Sequence, residues 1–213
     1  MKNVIKKLFL KTLKLNLTIE ELDQYKVWQN YHNFAEPFPH FVKKTVFETF
    51  SSKDTIWVET GTHVGQTAAY LSKISKFVYT MEPSIKYYEY SKKILSEENN
   101  CKIYHGTSQD YLEQILTEIE DGSSVNFWLD GHWSGGDTFK GDTDTPINEE
   151  LNIISSFVNK FSNIAVLVDD VRLFDKNFEK KDEVYPEKEI LIGWADLHNL
   201  NWKISRDIFI AYN

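Results

Sequence analysis

Short apolar runs alternate with amphipathic stretches along most of this chain, and the period of that alternation changes near residue 51. The first fifty residues read as helical. Thr18-Ile19-Glu20-Glu21 has the form of a capping box, in which a threonine hydroxyl and a glutamate carboxylate satisfy each other's backbone amides. A helix from about Ile19 to His32 follows. Pro37 and Pro39 break the chain, and Phe41, Val42, Val46, Phe47 and Phe50 have the spacing of a second amphipathic helix. Beyond Ser51-Ser52, strand-like runs at Ile56–Glu59, Phe77–Glu82, Lys102–His105, Val125–Leu129 and Ile164–Val168 alternate with helical stretches at Gln66–Ile74, Ser84–Glu97 and Ser108–Glu120. Thr145-Pro146 opens a further helix, with threonine as the cap and proline at the first helical position, and another helix runs from about Pro186 to Leu197. The last two strands, Trp202–Ser205 and Ile208–Tyr212, are joined tightly at Arg206-Asp207 and read as an antiparallel hairpin.

Five strands alternating with helices imply right-handed crossovers and a parallel sheet covered on both faces. The expected fold class is therefore α/β: a Rossmann-like, doubly wound, mostly parallel seven-stranded sheet that ends in an antiparallel hairpin. The expected division is an N-terminal helical extension, residues 1–50, followed by one domain over 51–213. No apolar run reaches the ~18 residues of a membrane-spanning helix. Lysines and arginines total 24 against 32 acids, a formal net charge of −8, which disfavours a binder of nucleic-acid phosphates. The single cysteine, Cys101, cannot form an internal disulfide, and a reducing, cytoplasmic setting is expected. Met1 to Leu17 carries five lysines and no acid among leucines, isoleucine and phenylalanine. Two readings stay open for it: contact with an anionic membrane surface, or a docking helix of a homo-oligomer.

In a doubly wound sheet, ligands bind beyond the carboxyl ends of the strands. After the first strand comes Glu59-Thr60-Gly61-Thr62-His63-Val64-Gly65, a turn whose glycines admit a close backbone approach and whose following helix offers free N–H groups. Its spacing is neither the dinucleotide fingerprint nor the phosphate-loop motif, and a plain strand-to-helix turn is the rival reading. Glu82 ends the second strand, 21 residues beyond Gly61, where a carboxylate can hold a ribose diol. Ser108, after the third strand, reads as a helix cap or a ligand contact. Asp130 follows the fourth strand and Asp169-Asp170 the fifth. If those strands are neighbours, the three acids converge, and a divalent cation such as Mg²⁺ suits their hard oxygens. Against this stand roles for Asp170 as a cap and for Asp130 on backbone. Seven of the nine glycines (61, 65, 106, 131, 135, 136 and 141) lie at these strand ends or in the loop after the fourth strand.

The turn Glu59 to Gly65, Glu82 and the terminal hairpin together resemble class I S-adenosylmethionine-dependent methyltransferases over roughly residues 51–213. Asp130 with Asp169-Asp170 is similar to the metal-dependent O-methyltransferases of the catechol and, more closely, the macrolide-sugar type. The stretch from Phe127 to Asp137 with Thr145 to Leu151 resembles methyltransferase-like proteins associated with bacterial surface polysaccharides. Two departures are a Gly-Thr-Ser at residues 106–108 where many relatives have Gly-Asp-Ser, and Asp-Asp at 169–170 where the catechol type has Asp-Asn. The resemblance implies a pocket for S-adenosylmethionine (SAM) shaped by Glu59, Gly61, Thr62 and Gly65, with Glu82 on its ribose and Ser108 and Asp130 as further cofactor contacts. It implies Mg²⁺ on Asp130, Asp169 and Asp170, and a sugar or polysaccharide-precursor hydroxyl as acceptor. His132 or Asp130 would take the acceptor proton, a loop hydrogen-bonding role being the alternative for His132. Trp133 would stack on adenine or sugar, or simply pack. Arg172 would pair an anionic group of the substrate, or form a structural ion pair. Rival functions are a metal-dependent phosphoester hydrolase and a non-catalytic binding member of the fold.

Overall fold

The computed structural model describes residues 17–131, 145–175 and 185–213. The chain divides into two compact units, Met1–Lys43 and Lys44–Asn213. In the first, α1 (Ile19–Tyr31) starts at the expected capping box. The Thr18 hydroxyl accepts from the Glu21 N–H at 3.2 Å, and the Glu21 carboxylate accepts from the Thr18 N–H at 2.9 Å. Trp28 packs against Phe34, Phe38 and Phe41, and its indole N–H donates to the Ala35 carbonyl at 2.6 Å.

Helix α2 (His40–Phe50) crosses the boundary between the units. The division falls within it because Val46 and Phe47 are buried in the core of the larger unit, where Phe47 lies edge-on to Trp57 and Trp128. The larger unit continues through β1 (Thr55–Thr60), α3 (Gln66–Ile74), β2 (Phe77–Glu82), α4 (Ile85–Ile94), β3 (Cys101–His105), α5 (Ser108–Glu118), β4 (Ser124–Leu129), α6 (Ile147–Ser155), β5 (Asn163–Val168), α7 (Glu189–Leu197), β6 (Asn201–Ser205) and β7 (Ile208–Tyr212). Among the described residues these strands form one seven-stranded sheet in the order β3-β2-β1-β4-β5-β7-β6. β1 to β5 are parallel, and β7 runs antiparallel to both β5 and β6. The expected fold class is therefore observed.

Side-chain alternation along the central strands splits the core in two. Ile56, Val58, Phe127, Leu129, Val166 and Val168 pack with residues of α5, α6 and α7 on one face. Trp57, Val78, Trp128 and Leu167 pack with residues of α2 and α3 on the other. β1 and β4 are both buried nearly throughout, as expected of strands covered on two faces. Helix α6 begins one residue later than expected: Pro146, not Thr145, is its cap residue. Helix α5 is capped by Thr107, whose backbone N–H and hydroxyl both donate to Asp110 at 2.8 Å. Ser108 is the first helical residue rather than the cap.

The strand order reverses between β1 and β4. That is the switch point where the two flanking connections diverge and open a crevice at the carboxyl edge.

Candidate functional site

Ladder hydrogen bonds carry the sheet one residue past its strands at this edge. The Gly61 N–H donates to the Met81 carbonyl, the Asp130 N–H to Thr60 and the Asp169 N–H to Leu129, each at 3.1 Å. With the strand registers, Thr60 opposite Met81 and Leu129 opposite Val168, this sets Glu82, Gly61, Asp130 and Asp169 at one level, side by side. Three acids thus flank a single glycine at the switch point.

Gly61 is required here for two reasons. Its φ of +86° lies in the left-handed region, and a Cβ would sit 2.5 Å from the Asp130 carbonyl oxygen. The second reason differs from the sequence expectation of room for a ligand: the backbone that approaches Gly61 is the protein's own. Gly65 also has positive φ, +79°, and precedes α3, with Ser91 3.2 Å from where its Cβ would be.

Glu59 opposes Thr80 in register, and the Thr80 hydroxyl donates to its Oε2 at 2.5 Å. With its hydrogen committed there, Thr80 accepts from the Thr62 hydroxyl at 2.6 Å. This chain of hydroxyls fixes one oxygen of Glu59. The other, Oε1, is buried without a partner among the described residues, as is the hydroxyl of the adjacent Thr60. Glu59 is only 1% exposed. Burial pushes its carboxyl up to about 8; the Thr80 hydrogen bond opposes that, and the charges of Asp130 and Glu82 add to it.

Glu82, also buried, accepts from the His63 N–H at 2.7 Å through Oε2 and from the Ser84 N–H at 2.9 Å through Oε1. It thereby ties the turn after β1 to the end of β2. His63, held left-handed with φ of 48°, lays its ring against Tyr87 with centroids 4.3 Å apart.

The three-acid metal set expected at Asp130, Asp169 and Asp170 is not assembled. Among the described residues no group of three or more histidine, cysteine or acidic side chains is arranged to hold a metal ion. Asp130 and Asp169 do stand side by side. Asp170, however, adopts a left-handed conformation with φ of 52°, and its Oδ1 takes the Arg172 guanidinium at 2.7 Å. The same nitrogen of Arg172 also bonds Asp207 Oδ2. Arg172 is therefore an internal brace, the structural alternative to the substrate-pairing role. Burial opposes its charge, but Asp170 and Asp207 outweigh that and hold the guanidinium above its usual range. Ser108 is buried, and its hydroxyl donates to the neighbouring Gln109 side chain at 3.2 Å. His132 and Trp133 lie outside the described residues.

Three residues of this region have roles that the sequence reading did not assign. Thr80 is one, a polar residue between Tyr79 and Met81 in β2. Glu150 is the second: it is 2% exposed, and its Oε1 lies 3.5 Å from where a Cβ on Gly131 would be. Its signal was legible, since position 150 shares the helical face of Ile147, Leu151 and Ile154. The third is Asp207, in the β6–β7 turn. Its side chain is fully buried, and its Oδ1 accepts the Arg172 N–H at 2.9 Å. Asp207→Asn keeps an acceptor for that N–H but removes the charge facing Arg172, so it is expected to lower stability by about 2 kcal/mol, read from the urea midpoint.

No protein-family model matches this sequence, and no curated protein matches it either. Solved structures do match in three dimensions. The chain is similar to a methyltransferase from Geobacter sulfurreducens at a TM-score of 0.55 and 9% identity, over 99% of this chain and 96% of that one. It is similar to SMU.1697c from Streptococcus mutans, named as a methyltransferase and solved in complex with SAH, at 0.51 and 13%, over 82% and 96%. A Clostridium thermocellum protein named as an rRNA methylase matches at 0.51 and 13%, over 81% and 94%. The protein therefore has the fold of class I SAM-dependent methyltransferases.

The residues at the switch point suit that cofactor. Glu59 Oε1 and the Thr60 hydroxyl are buried polar atoms with hydrogen-bonding capacity unused among the described residues, beside acids that would suit a cationic sulfonium and ammonium group.

Proposed function

We propose that this protein transfers the sulfonium methyl of SAM to a hydroxyl of a saccharide or surface-polysaccharide precursor. The row Glu82, Gly61, Asp130 and Asp169 at the β1/β4 switch point carries the reading. In it, Glu82 holds the ribose diol with the lone pairs left over from His63 and Ser84. Glu59, oriented by Thr80, and Thr62 face the methionine end. SAM supplies an electrophilic methyl group on a cationic sulfur. Asp130, beside Gly61, takes the acceptor's proton on its carboxylate. The acidity of the row favours a neutral polyol over a phosphorylated or nucleic-acid acceptor, because Arg172 is committed to Asp170 and Asp207.

A magnesium-dependent form of this chemistry rests on Asp130 and Asp169 and requires Asp170 to leave Arg172. No step of the reading is routed through a metal, and assays with and without EDTA separate the two forms.

The direct test is calorimetric titration with SAM and SAH, followed by methyl transfer to neutral saccharide and polyol acceptors, with phosphorylated sugars as the disfavoured comparison. Glu82→Gln is expected to weaken SAH binding at least about tenfold, because one backbone N–H then faces an amide donor and the charged acceptor is lost. Unchanged affinity in that variant, or no binding of SAM or SAH to the native chain, overturns the reading.

A further inference from the structure

We infer that the Arg172 guanidinium takes the place of a divalent cation among the acids at the end of β5. Given the methyl transfer proposed above, on which this part rests, the reaction then runs without a bound metal. The guanidinium is a permanent charge, and one of its nitrogens serves two carboxylates, Asp170 at 2.7 Å and Asp207. It is also anchored. The Arg172 N–H donates to Asp207 Oδ1 at 2.9 Å, and the Val171 N–H donates to the Asp207 carbonyl at 2.9 Å. Asp207 lies in the tight turn between β6 and β7, with its side chain fully buried. The cation is therefore pinned to the C-terminal hairpin. It cannot swing out to solvent without leaving a buried carboxylate uncompensated.

A metal held by Asp130, Asp169 and Asp170 would have to share Asp170 with that guanidinium. Asp170 has little freedom to turn away. Its φ of 52° is left-handed, and its carbonyl accepts the Leu173 N–H at 2.8 Å. A divalent ion on its carboxylate would lie beside a fixed positive charge. Asp169 and Asp207 are both buried there, so the repulsion between the two cations is weakly screened. Asp130 and Asp169 remain at one level on neighbouring strands. Mg²⁺ on one or two carboxylates ordinarily draws further oxygens from substrate phosphates, and a neutral polyol carries none. Arg172 thus supplies the counter-charge that the end of β5 needs, and it withholds the third acid that would complete a metal site.

The test is titration of the full chain, first dialysed against EDTA and then freed of it, with Mn²⁺, the free ion being followed by electron paramagnetic resonance. Native protein is expected to bind no more Mn²⁺ than Asp170→Asn does. Arg172→Met combined with Asp207→Asn removes both buried charges together, so neither is left unpaired, and it releases Asp170. That double variant is expected to bind Mn²⁺ at least about tenfold more tightly than native protein, and adding Asp170→Asn to it is expected to abolish the gain. Arg172→Lys keeps a cation beside Asp170 and Asp207 and is expected to gain nothing. Mn²⁺ binding by native protein that Asp170→Asn abolishes overturns the inference. So does a folded double variant without the gain, or methyl transfer that stops in EDTA and returns with Mg²⁺. Melting temperature and SAH titration show which variants are folded; if the double variant is not, native protein and Asp170→Asn decide between them. A native chain that binds neither SAM nor SAH fails the transfer reading, while the Mn²⁺ titrations still decide the role of Arg172.

Discussion

Glu59→Gln is expected to melt higher than the native protein above pH 8 and to match it below pH 4.5. The Glu59 carboxyl is raised from 4.5 to about 8, first by burial and then by Asp130 and Glu82, against the opposing Thr80 hydrogen bond. Groups facing it thus include two further acids, and the Cys101 thiol feels its charge as well. The folded chain keeps the Glu59 proton where the unfolded chain has lost it. Its stabilising contribution is therefore complete below pH 4.5 and disappears as pH rises through about 8. The loss amounts to up to about 5 kcal/mol, on the order of 10 °C in melting temperature for a chain of this size. Glutamine does not titrate, so the variant loses this part of the pH dependence. Melting followed by circular dichroism across that window checks it, and parallel curves for the two proteins would refute the assignment. A cation bound beside Glu59 favours the ionised form, so native affinity for SAM should rise through the same window while that of Glu59→Gln does not.

Gly61→Ala is expected to cost about 3–4 kcal/mol, from left-handed backbone strain and from overpacking. The methyl group would meet the Asp130 carbonyl oxygen at 2.5 Å and its carbon at 3.0 Å. Backbone is harder to displace than a side chain, and here both segments are held by ladder bonds to Met81 and Thr60. Any relaxation moves Asp130, so SAH affinity falls together with stability. Gly122→Ala is the matched control. Its φ is also positive, +79°, but nothing lies within 4 Å of its Cβ position, so only the strain of about 1 kcal/mol remains. Urea midpoints of the two variants make the comparison. Equal costs would show that strain alone demands glycine at position 61.

The alternation of apolar runs and helical stretches is a local property, and it was sufficient to place every strand of the sheet to within one or two residues. It also located Glu59, Gly61 and Glu82 at strand ends, because in a parallel sheet those ends share one edge. The identity of the capping residue at Thr107, the start of α6 and the buried role of Glu150 were less accessible. Each depends on where one side chain points relative to a neighbouring element.

The three-acid metal set shows why strand-end arithmetic has a limit. Register brings Asp130 and Asp169 together as expected, since they continue neighbouring strands at one level. Asp170 leaves the strand path through a left-handed residue and meets Arg172, and that meeting depends on Asp207, 35 positions further along the chain. The period of its apolar residues alone determined that this protein builds a doubly wound sheet with acids along its carboxyl edge, because strand and helix propensity act over a few neighbours. Tertiary structure decided which of those acids are occupied by an internal arginine and how strongly Glu59 holds its proton. Burial, charge pairing and backbone crowding join residues that are distant in sequence.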